Sequence, residues 1–296
     1  MPTPVLDNRQ LGPDVGRANQ FVNGGFEFNQ RGLTTYASGV QGLDRWFVSA
    51  VGTGAFSSSG PDTTHQDISS LQCLATVVTA TSGGSGGSGN WVVTQQNLEQ
   101  FKVLRGQILS TSFRVQSAIA GSARIYWYDG NYNYSPAVAT PAGSYTTVRY
   151  TFTPAANATT LYVGVTLDTV TTWYVDNATL VLGSQPCDYV PLHPADDLNR
   201  CLRYYEVIGG LANGSIIIRS YQAAGAAVQS SLRFVPKAVT PTITKVGTWA
   251  VVNCGQPNIG SPAVESCSFY STVTTTADTY FWNNASGACV TVEANP

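Results

Sequence analysis

The sequence predicts an all-β fold in which two β-sandwich domains of jelly-roll type are joined by a short helix. The chain has 296 residues, more than the roughly 100 to 200 of one domain, so each half can bury its own core. Charged residues make up only 11% of the chain, while Thr, Ser, Gly, Val and Tyr are abundant and Met1 is the sole methionine. β-Branched and aromatic side chains favour strands, and the scarcity of Glu, Lys and Met disfavours helices.

Residues 1–20 are predicted to form an extended N-terminal arm. Three prolines and two glycines occur there without any periodic pattern, which disfavours a helix or a central strand. Such an arm is normally ordered only when a neighbouring chain or domain holds it. We therefore expect the arm to take part in assembly through Pro4, Leu6, Arg9 and Leu11.

Residues 21–185 are predicted to form the first sandwich. Short runs of β-branched and aromatic residues are separated by turn signals, a spacing typical of sandwiches and jelly rolls. The clearest runs are 74–78, 91–94, 108–115, 123–128, 146–152 and 161–165. The Gly- and Ser-rich stretch 81–90 is predicted to be a flexible loop between two strands.

A helical connector is predicted over residues 186–206. Its helix is expected to run from Pro194 to Glu206, because proline suits a first helical turn and the acidic residues that follow complement the helix dipole. Apolar residues then recur at spacings of three and four, which gives the helix one apolar face. Residues 207–296 are predicted to form a smaller C-terminal β-sandwich.

The densest aromatic stretch runs from Tyr126 to Tyr134 and consists of a strand followed by an Asp-Gly-Asn turn. Alternation along the strand sends Tyr126 and Tyr128 to one face and Trp127 to the other, where we expect it in the core. Exposed aromatic rings stack on sugar faces or contact proteins, and Asn side chains hydrogen-bond hydroxyl groups. The candidate glycan-binding residues are those that follow the strand, with a second candidate pair in the second domain: Tyr132, Tyr134, Asn131, Asn133, Trp282 and Asn283.

The charge pattern argues against a nucleic-acid partner. The net charge is -2, and the basic residues are scattered rather than gathered on one stripe that could attract phosphates. Membrane insertion is not expected either, because the sequence contains no run of 18 apolar residues. The N-terminus lacks the basic start and apolar run of a secretory signal, which predicts that the chain stays outside the secretory route.

The sequence predicts no catalytic centre. The stretch Gly83-Gly84-Ser85-Gly86-Gly87 matches the G-x-S-x-G motif of serine hydrolases only because it is a glycine-rich repeat. His65 and His193 stand in predicted loops without metal-type spacing. The six cysteines form no C-x-x-C pair, so buried free thiols are expected, although Cys254 and Cys267 could meet across a hairpin. We expect a protein that is not an enzyme.

Two motifs resemble the carbohydrate-binding-module type of jelly roll found in bacteriophage tail fibres. Asn23-Gly24-Gly25-Phe26-Glu27 with Asp44-Arg45-Trp46 opens this domain, and Trp173–Leu180 closes it. The resemblance covers roughly residues 21–185 and continues through 197–206, which is similar to the segment that joins two β-domains in those fibres. It implies a non-enzymatic virion protein: a short tail-fibre or receptor-binding subunit, trimeric, that contacts host surface glycans.

The resemblance leaves the place in the virion open. An alternative is a capsid decoration (cement) or head-fibre protein whose arm, residues 1–20, anchors it to the shell. In either place the chain would be synthesised in the host cytoplasm and lie on the virion surface. Its expected partners are two further copies of itself and other virion proteins of the tail or capsid.

The resemblance also suggests a structural calcium ion. Carbohydrate-binding jelly rolls often hold calcium with an acid after the opening Gly-Phe and another in the closing strand, and Glu27 and Asp176 match these positions. Calcium takes roughly six to eight oxygen ligands, so two acids supply only part of its shell. In the alternative interpretation, Glu27 pairs with Arg31 or Arg45, and Asp176 caps a turn.

Overall fold

The computed structural model describes residues 19–67, 70–81, 91–209, 214–283 and 288–295. Within these ranges the chain forms twenty strands and two short helices, so the predicted all-β class is confirmed. The chain divides into two compact units between Leu198 and Asn199. None of the helices in the described ranges has the length and apolar character needed to cross a membrane. The predicted loop 81–90 lies, apart from Thr81, outside the described residues.

The first unit is a sandwich of two antiparallel sheets. The six-stranded sheet has the order β1-β4-β10-β6-β7, with β8 also paired to β6, and the five-stranded sheet has the order β2-β3-β11-β5-β9. The elements are β1 (Phe47–Val51), β2 (Ala55–Asp62), β3 (Cys73–Ala80), β4 (Trp91–Asn97), α1 (Phe101–Leu104), β5 (Leu109–Ser117), β6 (Gly121–Tyr128), β7 (Tyr132–Tyr134), β8 (Val138–Thr140), β9 (Thr146–Phe152), β10 (Tyr162–Leu167) and β11 (Thr172–Leu182).

An aromatic cluster lies at the centre of the core between these two sheets. Trp46 stacks on Phe26 with ring centroids 4.5 Å apart and meets Phe113 of β5 edge-on at 5.8 Å. The indole Nε1 of Trp46 donates to the carbonyl of Asn23 at 2.7 Å, so its one polar atom is satisfied inside the core. These contacts bury rings from the opening motif against the five-stranded sheet.

The opening and closing motifs of the first unit meet through their backbones. The Ala178 N–H donates to the Gly24 carbonyl at 2.7 Å. A Cβ on Gly24 would lie 2.6 Å from the Ala178 carbonyl oxygen, so this close approach requires glycine. The pairing explains why both motifs belong to one domain although about 150 residues separate them along the sequence.

The second unit places its strands in three three-stranded antiparallel sheets. Their orders are β12-β20-β15, β13-β19-β16 and β14-β18-β17. The remaining elements of the chain are α2 (Pro194–Leu202), which contains the boundary between the units, and β12 (Tyr205–Gly209), β13 (Ile217–Gln222), β14 (Ala227–Arg233), β15 (Thr242–Val246), β16 (Trp249–Val252), β17 (Asn258–Gly260), β18 (Ser266–Thr272), β19 (Ala277–Asn283) and β20 (Cys289–Glu293).

The three small sheets share one core. Trp249 contacts Phe269 edge-on at 5.0 Å between ring centroids, and Phe269 meets Phe281 at 5.3 Å, so rings from two different sheets interlock. Cys254 and Cys267 are buried in the same cluster as free thiols. Their sulfurs therefore contribute to packing rather than to a cross-link.

The predicted end of the connector helix is wrong by four residues. The sequence predicted a helix to Glu206, whereas α2 ends at Leu202. Tyr205 and Glu206 instead begin β12, where Tyr205 pairs with Glu293 of β20. Hydrogen bonds to β20 satisfy the backbone N–H and C=O groups that a longer helix would have paired within itself. The periodicity of the sequence does not reveal this distant partner.

Candidate functional site

The six-stranded sheet of the first unit has one face in the core and an opposite face covered with aromatic side chains. On β6, Ile125 is fully buried in the core and Trp127 packs against it, with the Trp127 ring stacked on Phe152 at 4.6 Å. Tyr126 and Tyr128 belong to a separate aromatic cluster, because side chains alternate along a strand. The predicted alternation of this stretch is therefore confirmed, including the place of Trp127 in the core.

Aromatic side chains from four strands meet on the outer side of this sheet. Trp91 of β4 lies among three tyrosines, with ring centroids 6.3 Å from Tyr126, 5.7 Å from Tyr134 and 5.4 Å from Tyr132. Tyr128 continues the cluster and contacts Tyr162 of β10 at 6.0 Å. We call this surface the aromatic face and define it by six residues: Trp91, Tyr126, Tyr128, Tyr132, Tyr134 and Tyr162.

The sheet order brings these rings together. In the register of β10 with its two neighbours, Gly164 stands opposite Gln95 on one side and Tyr126 on the other. A Cβ on Gly164 would lie 2.1 Å from the Thr94 carbonyl oxygen, so a side chain at this position would force the strands apart. Glycine here permits close strand pairing and leaves the middle of the face free for rings from the neighbouring strands.

The turn between β6 and β7 fixes the positions of Tyr132 and Tyr134. Asp129 Oδ1 accepts hydrogen bonds from the Asn131 N–H at 3.3 Å and from Asn133 Nδ2 at 3.1 Å. Asn133 Nδ2 also donates to the Asn131 carbonyl at 2.9 Å. Asn133 thus stabilises the turn, whereas Asn131 is exposed at its tip.

Tyr132 is the most exposed ring of the aromatic face. Its side chain is 58% exposed, whereas Trp91 beneath it is only 4% exposed. Burial raises the pKa of Tyr126 and of Tyr134 far above physiological pH, so these hydroxyls remain protonated hydrogen-bond donors. The face therefore combines an accessible ring with neutral, hydrogen-bonding hydroxyl groups.

The second predicted pair of glycan-binding residues is divided by the structure. Trp282 lies half-buried on β19 and stacks on Tyr280 at 5.4 Å. Asn283, the next residue, has no exposed surface; its Oδ1 accepts from the Ile216 N–H at 2.9 Å and its Nδ2 donates to Ser215 Oγ at 2.9 Å. The assignment of Asn283 to a binding surface was wrong, because strand alternation turns it into the core.

The two acidic residues predicted to hold calcium are engaged by protein donors. Asp176 is fully buried: its Oδ2 accepts from the Asp67 N–H at 2.9 Å, and its Oδ1 accepts from Ser70 Oγ at 3.0 Å and from the Asn177 N–H at 2.7 Å. The Leu71 N–H hydrogen-bonds the carboxylate of Glu27.

These contacts leave little of the oxygen shell that calcium requires. In the described part of the chain, no group of three or more His, Cys, Asp and Glu side chains could hold a metal ion. The residues present therefore do not fit a calcium site built from acidic side chains, and calcium stays a prediction. The predicted assembly residues Pro4, Leu6, Arg9 and Leu11 lie outside the described residues.

Of the six residues of the aromatic face, the sequence-based candidates include only Tyr132 and Tyr134. The sequence placed Tyr126 and Tyr128 together on one face of a strand without naming them as candidates, and it gave no indication of Trp91 and Tyr162. The alternation in Trp91-Val92-Val93-Thr94-Gln95 signals a strand with Trp91 and Gln95 on one side, but it does not show which strands stand next to it. Only the order β4-β10-β6 places both residues beside Tyr126 and Tyr128. The missing information is the pairing of strands that are distant along the chain.

No protein-family model matches the chain, and no curated protein matches it. Several solved structures show a distant likeness. The C-terminal family 22 carbohydrate-binding module of Clostridium thermocellum Xyn10B is 15% identical, with a TM-score of 0.36, over 47% of this chain and 86% of the module. The CBM22-1 xylan-binding domain of Paenibacillus barcinonensis Xyn10C is 14% identical, with a TM-score of 0.38, over 56% and 96%.

A bacteriophage protein also shows a distant likeness. The enzymatically active domain of tailspike protein 4 from bacteriophage CBA120 is 14% identical, with a TM-score of 0.37. The likeness covers 57% of this chain but only 22% of the tailspike chain.

Proposed function

We propose that the aromatic face of the first unit binds glycans. The observation that carries this proposal is a group of six clustered aromatic side chains on the outer side of a sheet, in which the exposed Tyr132 packs against the buried Trp91. Aromatic rings stack on the apolar faces of sugar rings, and the tyrosine hydroxyls can hydrogen-bond sugar hydroxyls. The exposed Tyr132 ring, supported by the buried rings of the cluster, offers a surface on which a sugar ring can stack.

The wider role that we propose is a non-enzymatic subunit of a bacteriophage virion. The chain would be a short tail-fibre or receptor-binding subunit, assembled as a homotrimer, whose aromatic face contacts a host surface glycan. Support comes from the resemblance of its opening and closing motifs to tail-fibre jelly rolls and from the low content of charged residues, 11%, which favours association over an isolated monomer. Light scattering of the purified chain tests the trimer, and incubation with host polysaccharide tests for cleavage.

Replacing Tyr132 and Tyr134 with Ala tests glycan binding directly. The double variant removes the exposed ring and its neighbour, so we expect adsorption to host cells and binding on a glycan array to fall at least tenfold. Tyr221→Ala is the matched control, because Tyr221 is a 72% exposed tyrosine of the second unit and its loss should leave binding unchanged. Equal binding by the double variant and the wild type would contradict the proposal.

The alternative role is capsid decoration, in which residues 1–20 would clamp the chain to the shell. Labelled antibody against the chain, viewed on intact virions, separates the two roles. We expect the label at the tail. Label over the whole shell, together with loss of capsid stability in virions that lack the chain, would instead establish a cement protein.

A further inference from the structure

Three buried polar atoms on the outer side of the six-stranded sheet have no hydrogen-bond partner. They are the indole Nε1 of Trp91, the amide Oε1 of Gln95 and the carboxylate Oδ1 of Asp168. The three residues are 4%, 6% and 3% exposed. Buried polar groups of folded proteins are nearly always hydrogen-bonded, because an unpaired one destabilises the fold. One donor and two acceptors left unpaired on the same surface therefore call for a functional explanation.

Strand alternation and register place these residues on one surface. Trp91 and Gln95 project from the same side of β4, since four positions separate them. Leu167, the last residue of β10, points into the core. Asp168 is the next residue and therefore points the other way, to the side of the sheet that carries the aromatic face. Trp91 and Asp168 are also the next residues beyond the last pair of the β4–β10 ladder, Val92 and Leu167, so they stand across from each other.

Two of the three side chains are held in place through their other polar atom. Gln95 Nε2 donates to Ser49 Oγ at 3.1 Å, and Asp168 Oδ2 accepts from Arg124 Nε at 3.2 Å. Gln95 is thus oriented by Ser49, and Asp168 by Arg124 together with the Thr166 side chain, while Gln95 Oε1 and Asp168 Oδ1 have no hydrogen-bond partner. Burial raises the pKa of Asp168, opposed by hydrogen bonds from Thr166 and Arg124 and by the charge of Arg124.

We propose that these three atoms bind the hydroxyl groups of an uncharged oligosaccharide lying across the aromatic face, an inference that rests on the glycan binding proposed above. Each sugar hydroxyl donates one hydrogen bond and can accept others, so different hydroxyls along an oligosaccharide can accept from the indole N–H and donate to the two acceptor oxygens. Gln95 and Trp91 are about 13 Å apart along β4, a length that exceeds one sugar ring and indicates an oligosaccharide.

The charges beside the aromatic face disfavour acidic sugars. Arg124 is paired with Asp168, so its charge is neutralised before any ligand arrives. A sugar carboxylate would meet the unpaired oxygen of Asp168 and be repelled, whereas a neutral hydroxyl would donate to it. The Tyr132 ring is exposed on the three-residue strand β7 and packs edge-on against Trp91, so a sugar stacked on that ring lies next to the Trp91 indole.

Gln95→Met tests the inference, with Gln96→Met as its matched control. Both glutamines are buried neighbours on β4, but Gln96 faces the opposite side and bonds Val22 with both amide atoms, accepting from its N–H at 2.9 Å and donating to its carbonyl at 2.8 Å. Methionine keeps the shape and removes the polar atoms. Neutral gluco-, xylo- and galacto-oligosaccharides and galacturonic acid oligomers serve as probes on an array, followed by calorimetry.

We expect the wild type to bind neutral oligomers and Gln95→Met to bind them about tenfold more weakly, with an unchanged or raised melting temperature. Gln96→Met should melt lower and bind as the wild type does. Wild-type affinity in Gln95→Met would overturn the inference while leaving glycan binding intact. Failure of the wild type to bind any sugar would overturn the proposed function, and this inference with it.

Asp168→Asn tests the exclusion of acidic sugars separately. The substitution removes the negative charge but keeps an acceptor oxygen, and it leaves Arg124 without its counter-charge. Binding of galacturonic acid oligomers should therefore rise relative to binding of neutral oligomers. If acidic oligomers bind the variant no better than they bind the wild type, Asp168 is not the group that excludes them.

Discussion

The two units each display a cluster of aromatic side chains, but the polar groups around the two clusters differ. In the first unit, buried polar atoms of Gln95 and Asp168 are unpaired beside the aromatic face. In the second unit, Tyr280 and Trp282 stack on each other, Arg219 lies over the Tyr280 ring at 5.4 Å, and Arg219 also pairs with Asp278. In this cluster the charged groups beside the rings, Arg219 and Asp278, are already paired with each other.

This difference teaches that a concentration of aromatic residues does not by itself indicate a binding site. Rings on a sheet surface stabilise their neighbours whether or not a ligand arrives. A surface that binds a polar ligand also needs hydrogen-bonding capacity that the fold has not used. By that criterion the aromatic face of the first unit is the better candidate for a binding site than the half-buried stack of Tyr280 and Trp282.

Asn283→Ala should have the largest effect on stability among the tests of this comparison. The substitution leaves the buried Ile216 N–H without its acceptor and removes the bond to Ser215, so we expect unfolding to become about 2 to 3 kcal/mol easier. Chemical denaturation followed by tryptophan fluorescence measures the change. Asn258→Ala, at an exposed residue of β17, is the control, with an expected effect below about 0.5 kcal/mol. A mild effect of Asn283→Ala would return this residue to the list of surface candidates.

The pH dependence of stability should next reveal the buried carboxyl of Asp176. Burial raises its pKa to about 7, although hydrogen bonds from Asp67, Ser70 and Asn177 act in the opposite direction. Between about pH 4 and pH 7 the folded chain keeps a proton that the unfolded chain has lost, so stability falls as pH rises. For one proton the slope is at most about 1.4 kcal/mol per pH unit.

Asp176→Asn isolates this contribution, because it removes the titrating group and should flatten that part of the profile. Other buried acids, such as Asp44, titrate in both proteins and cancel in the difference.

The same melting curves test calcium. A bound calcium ion would stabilise the charged carboxylate, so added calcium would raise the melting temperature at pH 7 and chelation would lower it. Identical curves with calcium and with chelator would dismiss the predicted ion.

The fold class and part of the candidate site could be predicted from local patterns. The run 146–152 coincides with β9 and the run 123–128 lies within β6, because period-two alternation and β-branched residues are local signals. The same alternation placed Trp127 in the core and Tyr126 on the opposite face. Tyr132 could be identified because it follows a turn rich in Asp, Gly and Asn.

The remaining features depend on contacts between distant residues. Asn283 was predicted, together with Trp282, as a glycan-binding candidate, but β19 extends through it and its partners Ser215 and Ile216 lie nearly 70 residues earlier. Trp91 joined the aromatic face only through the order of the strands. Division of the second unit into three small sheets likewise follows from pairing rather than from strand pattern.

Arg219→Ala should have the smallest effect, and this outcome is the sharpest test of the contrast between the units. Arg219 and Asp278 are exposed, so water and salt screen their attraction and the ordering of two long side chains offsets it. We expect the melting temperature and the binding of neutral oligosaccharides to match those of the wild type. Weakened sugar binding would show that the cluster around Trp282 recognises a ligand, and the criterion of unused hydrogen-bonding capacity would then fail as a guide to this molecule.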